Sequence, residues 1–317
     1  MILPSDRYRF TSHRPRRSSG LLRFIVILVG VIIVGGGVFY LVRAKSAPTG
    51  KGATEQRLSV LWKEQKYSEI ATQAAQVLAD RPLDENALMY AGFAYFYEGV
   101  DASSLENRIP LFDKSIVYLR RALLLKDNPQ TPSVNYVLGK AYYQKGKYYL
   151  DLAIEYLNKS IEEGYIARDT YEYLGLAYSD LEDYTKAAGY FQKAIAQKPT
   201  GLLLFILAQT YYRADDTTEA EQYLLRAVNM AQSTKDTSVE EQARFLLGKI
   251  YSDRKDYFKA EDQYLRILEI DAKSADAHYY LGDLYTQLNE PVKARAEWRA
   301  ALRIDPSHYG ARLKLYK

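Results

Sequence analysis

Six times along this chain a small residue is followed, three positions on, by a tyrosine: Gly92 with Tyr95, Gly139 with Tyr142, Gly175 with Tyr178, Ala208 with Tyr211, Gly248 with Tyr251, and Gly282 with Tyr285. The spacing is close to constant, with 33 residues from Gly175 to Ala208 and 34 from Gly248 to Gly282. Self-similarity at this period constrains the fold more than any other feature, because it describes one supersecondary element made repeatedly. Each copy leaves one apolar face uncovered, and stacking the copies buries it.

The best-formed segment shows what one copy needs. After Gly282 come Ala294, Trp298, Ala301 and Pro306. Gly282 and Ala294 are small enough for two helices to approach closely, Tyr285, Trp298 and Ala301 fill the space to the neighbouring copies, and Pro306 ends the second helix. Leu174, Gly175, Tyr178, Ala187, Phe191, Ala194 and Pro199 repeat the arrangement. These residues resemble the tetratricopeptide repeat family, whose unit is a helix-turn-helix. The resemblance implies an all-α chain, a right-handed α-solenoid of about seven such units behind one N-terminal transmembrane helix.

Seven repeats are read, at roughly 51–84, 85–131, 132–167, 168–200, 201–234, 241–274 and 275–308. The first is degenerate, with Leu58, Leu61, Ile70, Ala74, Val77 and Pro82 at the pattern positions and no glycine, as terminal repeats often are. The second carries about eleven extra residues near Gly99–Ile109, expected between its helices. The third has two extra, in the stretch KGKYYLDLA. Six more, Lys235–Glu240, are expected to separate the fifth repeat from the sixth. The resulting division is a basic tail (1–20), a transmembrane signal anchor (21–43), a linker (44–53), the repeat solenoid (54–308) and a helical stub (309–317).

Phe24–Val42 is a run of 19 residues without charge. As a helix it spans about 28 Å, close to the roughly 30 Å hydrocarbon core of a bilayer. A cleaved signal peptide competes with an uncleaved anchor, and Ala44-Lys45-Ser46 would be its processing site. A signal peptide's apolar core is shorter, about 7–15 residues, so the anchor is favoured. Arg7, Arg9, Arg14, Arg16, Arg17 and Arg23 precede the span, whereas only Arg43, Lys45 and Lys51 follow closely. Positive charge stays inside, which puts the N-terminus in the cytoplasm and the repeats beyond an inner membrane, on the periplasmic or extracytoplasmic side. The tail Met1–Gly20 reads as disordered, serving either as a topology signal or as a contact for anionic lipid or a cytoplasmic partner.

Charge separates the two parts further. Residues 1–51 hold seven Arg, two Lys and one Asp, a net +8, so the remainder carries −4 of the chain's total of +4. A mildly acidic array argues against nucleic acid as its partner. The chain has no Cys, which excludes disulfides, thiolate metal sites and a Cys nucleophile. Its histidines, His13, His278 and His308, lack metal-ligand spacing, and no glycine-rich phosphate loop follows a strand. Neither a cofactor, a metal nor a small-molecule substrate is expected, and the chain is not expected to be an enzyme.

The resemblance implies that partners bind on the concave face lined by the first helices, at positions 2, 5, 9 and 12 of each repeat. In the second repeat this register gives Met89, Phe93 and Phe96, with Tyr97 adjacent; in the third, Ser133, Tyr136, Lys140 and Tyr143. The fourth contributes Asp169, Glu172, Leu176 and Ser179 with Tyr173 beside them, and the fifth Leu202, Phe205, Gln209 and Tyr212. From these, Met89, Phe93, Phe96, Tyr97, Tyr136, Lys140, Tyr143, Tyr173, Gln209 and Tyr212 form the candidate groove. Rigid aromatic surface with polar tips suits capture of a peptide; the competing reading is that the same aromatics pack the inner helices or receive the 99–109 insertion. Some family members grip a C-terminal carboxylate with a Lys, Asn and Arg cluster. Here the equivalent positions hold Met89, Phe93, Val137, Asp169 and Tyr173, so that recognition is not expected. The function implied is a membrane-anchored scaffold or adaptor for proteins or peptides in envelope assembly or export. The alternative is a cytosol-facing receptor on an organelle membrane.

Overall fold

The computed structural model describes residues 50–125 and 130–316. The basic tail, the charge-free stretch 24–42 and His13 lie outside the described residues. Among the described residues every regular element is helical, and none is long and apolar enough to cross a membrane.

The helices follow one another in pairs. They are α1 (Gly50–Lys63) with α2 (Tyr67–Asp80), α3 (Glu85–Asp101) with α4 (Leu105–Leu123), and α5 (Thr131–Lys145) with α6 (Leu150–Glu162). Next come α7 (Thr170–Asp180) with α8 (Tyr184–Gln197), α9 (Gly201–Arg213) with α10 (Thr217–Thr234), and α11 (Thr237–Asp253) with α12 (Tyr257–Ile270). The last pair is α13 (Ala275–Gln287) with α14 (Pro291–Ile304), followed by α15 (Tyr309–Tyr316). The described residues divide into two compact bodies, one made of those up to Lys145 with Glu155–Ala167, the other of Gly146–Ile154 with those from Arg168 on. Within the second, each first helix from α9 to α13 packs on the second helix of its own repeat and on that of the repeat before.

The pattern glycines sit where the paired helices touch. A Cβ on Gly175 would lie 2.6 Å from the ring of Phe191, and one on Gly248 would lie 2.5 Å from Tyr264. Gly282 faces Trp298 and Gly92 faces Leu119 in the same way. The partner is 16 residues on in three of these repeats and 27 on in the second, so the eleven extra residues of that repeat fall between the contacts. Phe191, Leu224, Tyr264 and Trp298 are all buried. Burying side chains of this size stabilises by about 1.5–3 kcal/mol each.

The pattern tyrosines do two jobs. In four repeats the ring stacks nearly parallel on a tyrosine of the second helix: Tyr95 on Tyr118, Tyr142 on Tyr156, Tyr178 on Tyr190 and Tyr211 on Tyr223, with centroids 5.4–5.6 Å apart. A cation from the second helix caps the stack, as with Lys186 over Tyr178 at 5.1 Å and Arg226 over Tyr223 at 4.9 Å. The last two reach backwards instead. Tyr251 donates to Glu221 Oε1 at 2.9 Å and Tyr285 to Glu261 Oε1 at 2.6 Å, each on the second helix of the preceding repeat.

The turn inside the repeat is made mostly by main-chain atoms. One residue takes the left-handed conformation: Gln65 (φ 57°), Glu182 (64°), Asp215 (64°), Lys255 (63°) and Asn289 (60°). The next residue's N–H then bonds the carbonyl five positions back, as from Asp183 to Tyr178 (2.9 Å), Asp256 to Tyr251 (2.8 Å) and Glu290 to Tyr285 (2.8 Å). This closes the first helix. Where that next residue is an aspartate it also caps the second helix, with Asp183 accepting from Lys186 N–H at 3.1 Å and Asp216 from Glu219 N–H at 3.0 Å; Lys66 and Glu290 make no such bond.

Two expected insertions take a different form. The residues 99–109 do not make a long loop, because α3 runs on to Asp101 and α4 begins at Leu105 with Ser104 capping it. Arg108 Nε donates to the Gly99 carbonyl at 3.2 Å and Arg108 Nη2 to Gln144 Oε1 at 3.3 Å, fixing this corner. Lys235–Glu240 likewise are not a spacer. α10 is 18 residues long and α11 is 17, with only Lys235 (left-handed, φ 58°) and Asp236 between them. In both cases the added residues extend the helices at their ends, and Gly99 lies inside α3 with its carbonyl held by Arg108. The two extra residues of the third repeat appear as a short 3-10 turn, Lys147–Tyr149, after Gly146 at φ 97°.

Candidate functional site

In the N-terminal body the candidate residues converge on an aromatic cluster. Trp62 on α1 meets Tyr67, Tyr90, Phe93 and Tyr97 at centroid distances of 5.6–6.1 Å. Tyr67 stacks on Tyr97 at 5.1 Å, and Phe96 meets Tyr97 at 5.3 Å and Phe112 at 5.8 Å. Met89, Phe93 and Phe96 are buried, with Phe96 only 1% exposed. Tyr136 and Lys140 are buried as well. Lys140 Nζ donates to the Tyr136 hydroxyl at 3.0 Å and sits 5.4 Å over the Phe96 ring. Tyr97 and Tyr143 are half-buried and keep part of their surface in solvent. Burial raises the pKa of the Tyr67 hydroxyl, with Tyr97 and Asp101 adding to the shift, and burial pushes Tyr90 up to about 12. Both rings are neutral hydrogen-bonding groups at any physiological pH.

In the C-terminal body Tyr173 on α7 and Gln209 and Tyr212 on α9 are all half-buried. Lys249 on α11 stands 5.3 Å over the Tyr212 ring. Tyr280 on α13 meets Phe245 at 5.7 Å and stacks on Tyr264 at 5.5 Å. The sequence reading stopped at the fifth repeat and missed Phe245, Lys249 and Tyr280; carrying the same register into α11 gives the first two. It missed Trp62 and Tyr67 because the first repeat lacks the glycine that sets the register.

The two histidines among the described residues are structural. His278 Nδ1 lies 2.6 Å from Glu297 Oε2, joining α13 to α14. His308 accepts the Ala311 N–H at Nδ1 (3.1 Å), so its proton sits on Nε2, which donates to Asp276 Oδ1 at 3.0 Å. That ring caps α15 and ties it to α13. Among the described residues no three His, Cys, Asp or Glu side chains come together in a way that would hold a metal ion.

Tetratricopeptide repeat profiles match residues 136–202, 200–273 and 275–308. The chain belongs to the tetratricopeptide repeat family. It is 28% identical over 149 residues to human protein O-mannosyl-transferase TMTC3, covering 44% of this chain and 16% of that protein, so it spans only a small part of that relative's length. Among solved structures it resembles the C-terminal part of a TPR repeat-containing protein from Cytophaga hutchinsonii, at 18% identity and a TM-score of 0.64, over 82% of this chain and 99% of the other. It also resembles YrrB, described as a TPR protein with an unusual peptide-binding site, at 23% identity and a TM-score of 0.50, over 63% of this chain and 98% of the other. A third is BtubC from P. vanneervenii, at 18% and 0.51, over 65% and 92%. Likeness at these identities establishes the fold alone.

Proposed function

We propose that this chain is a non-enzymatic scaffold that binds protein or peptide partners along the first-helix faces of its repeats and is held at a membrane by residues 24–42. One observation carries the binding reading: in both bodies the first helices keep aromatic and amide side chains half-exposed at the candidate positions, Tyr97 and Tyr143 in one and Tyr173, Gln209 and Tyr212 in the other. Such side chains bring large contact area at low entropic cost. The buried members, Phe93, Phe96, Tyr136 and Lys140, back this surface and hold it rigid. The membrane reading is supported by the uncharged 19-residue stretch and the arginines before it. An array placed outside the cytoplasm beside its anchor would act in envelope assembly or attend exported clients.

The test is in-cell crosslinking followed by mild-detergent pulldown, comparing wild type with Tyr97→Ala and Tyr143→Ala made together. Helicity and membrane level are measured first. A specific partner captured by wild type and lost from the variant is the expected result. Partners retained in full by the variant would move the binding surface away from the N-terminal body's first helices.

A further inference from the structure

The repeat array is acidic over most of its length, and at its last helices the sign reverses. Residues 291–317 hold four Arg and three Lys against Glu297 and Asp305, a net +5 in an array that totals −4 beyond residue 51. The reversal is concentrated on α14. Arg295, Arg299 and Arg303 recur at every fourth residue, and at 3.6 residues per turn they share a stripe about 100° wide with Val292 and Ala296. All five are exposed, Val292 by 77%.

This stripe holds no carboxylate. Glu297 lies on another side of the helix, against His278 of α13, and Asp305 follows the helix end, accepting from Ser307. Arg295 Nε donates to the Pro291 carbonyl at 3.2 Å, and among the described residues none of the three arginines forms an ion pair. On α12 the same register carries Glu261, Leu265 and Glu269, and Arg266 of that helix is paired with Asp262 and Glu269. The outer face of α12 thus balances its own charge, and that of α14 does not. α15 packs on α14. It exposes Tyr309, Leu313 and Tyr316, spaced four and three residues apart on one face, with the exposed Arg312 beside them.

We propose that the exposed stripe of α14, with α15 beside it, is a contact for an anionic bilayer surface. The guanidinium groups of Arg295, Arg299 and Arg303 lie on headgroup phosphates, and Val292, Tyr309 and Tyr316 enter the interface. The inference rests on the reading that residues 24–42 hold the chain at a membrane, and it adds a second, electrostatic point of attachment. A guanidinium grips a phosphate through two parallel hydrogen bonds. Tyrosine rests at headgroup level with its ring in the apolar part and its hydroxyl in water. An anchored chain meets its own bilayer at high effective concentration, so a contact of modest strength is enough. An acidic polypeptide would take up the charges alone; exposed rings beside unpaired cations, on a chain tethered to lipid, favour the bilayer.

The experiment uses the full-length chain in liposomes of phosphatidylcholine, alone or mixed with phosphatidylglycerol. The chain has no Cys, so Ala296→Cys takes a single environment-sensitive dye within the stripe. Gln222→Cys, exposed at the same register on α10, takes it as a control. The expected result is a blue shift of the dye at position 296 with phosphatidylglycerol, absent with phosphatidylcholine alone and absent at position 222. Changing Arg295, Arg299 and Arg303 together to Gln abolishes the shift, with the docked-to-free ratio falling on the order of a hundredfold, about fivefold for each arginine near an anionic surface. The melting midpoint of that variant, whose three positions are all exposed, checks the fold. No shift with phosphatidylglycerol, an equal shift at position 222, or a shift that survives the three substitutions overturns the contact. A shift produced by soluble polyglutamate and not by phosphatidylglycerol overturns it in favour of an acidic polypeptide. Alkaline carbonate extraction of the phosphatidylcholine liposomes tests the anchor separately. A chain released by carbonate lacks the span, and its dye then reads docking to added vesicles from solution.

Discussion

At the scale of single residues, two glycines in second and first helices have opposite roles although both are helical. Gly248 faces the buried Tyr264 ring, whereas a Cβ on Gly189 of α8 would meet nothing within 4 Å. Gly248→Ala therefore forces the ring to shift and is expected to destabilise by about 1–3 kcal/mol. Gly189→Ala relieves backbone entropy alone and is expected to stabilise by about 0.5–1 kcal/mol. Chemical denaturation of the two variants beside wild type checks both signs. Charge acts at the same scale. The Asp183 and Asp256 carboxyls are held below the ordinary value of 3.8, first by side-chain hydrogen bonds from Lys186 and Lys259. A depressed folded-state pKa gives a contribution that is complete above the unfolded value and lost as pH falls through the folded one. Both groups are open to solvent, so the effect is small. Asp183→Asn with Asp256→Asn is expected to flatten the stability profile below about pH 4 and leave it unchanged in shape near neutrality, measured by melting midpoint against pH.

At the scale of elements, the helix pairs were legible in the sequence from the recurring small residues, but the close contact was read as Gly282 near Ala294 with Trp298 turned to the neighbouring repeats, whereas Gly282 faces Trp298 of its own repeat. The turns were not legible. Their left-handed residues are Gln, Glu, Asp, Lys and Asn, with no glycine to mark them. The strain is tolerated because main-chain hydrogen bonds close around it, joined after Glu182, Asp215 and Lys255 by an aspartate cap. Lys255→Gly is accordingly expected to stabilise the α11–α12 pair by about 0.5–1 kcal/mol, the left-handed penalty of roughly 1–2 kcal/mol less the entropy glycine adds to the unfolded chain. Asn289→Gly should gain less, since asparagine enters this region more readily. The order of the two midpoint shifts is the test. The extra residues at 99–109 and 235–240 were legible in number and position but not in form. Whether they loop out or lengthen helices depends on what they pack on, as Arg108 shows by reaching both Gly99 and Gln144. The candidate site was legible in part. Register assigned residues to a face, but not how far each was covered, so Phe93 and Tyr97 were read alike although the structure buries the first and leaves the second half-exposed.

At the scale of the whole molecule, the basic residues 1–51 and the acidic remainder bear on orientation. If the repeats lie outside the cytoplasm, protease added to the outside of spheroplasts degrades the array and leaves a small fragment containing the N-terminal arginines. Protection of the array, with a periplasmic control cut, would favour the cytosol-facing receptor instead. The turns have a further consequence. Their closing bonds run from main chain to main chain, and the side chains of Gln65, Glu182, Asp215 and Lys255 have no prescribed chemistry beyond entering one backbone conformation. Each of these turns is thus a blank position, recurring in five of the seven repeats, where selection or an experimenter can write a new recognition residue or a label without disturbing the helices on either side.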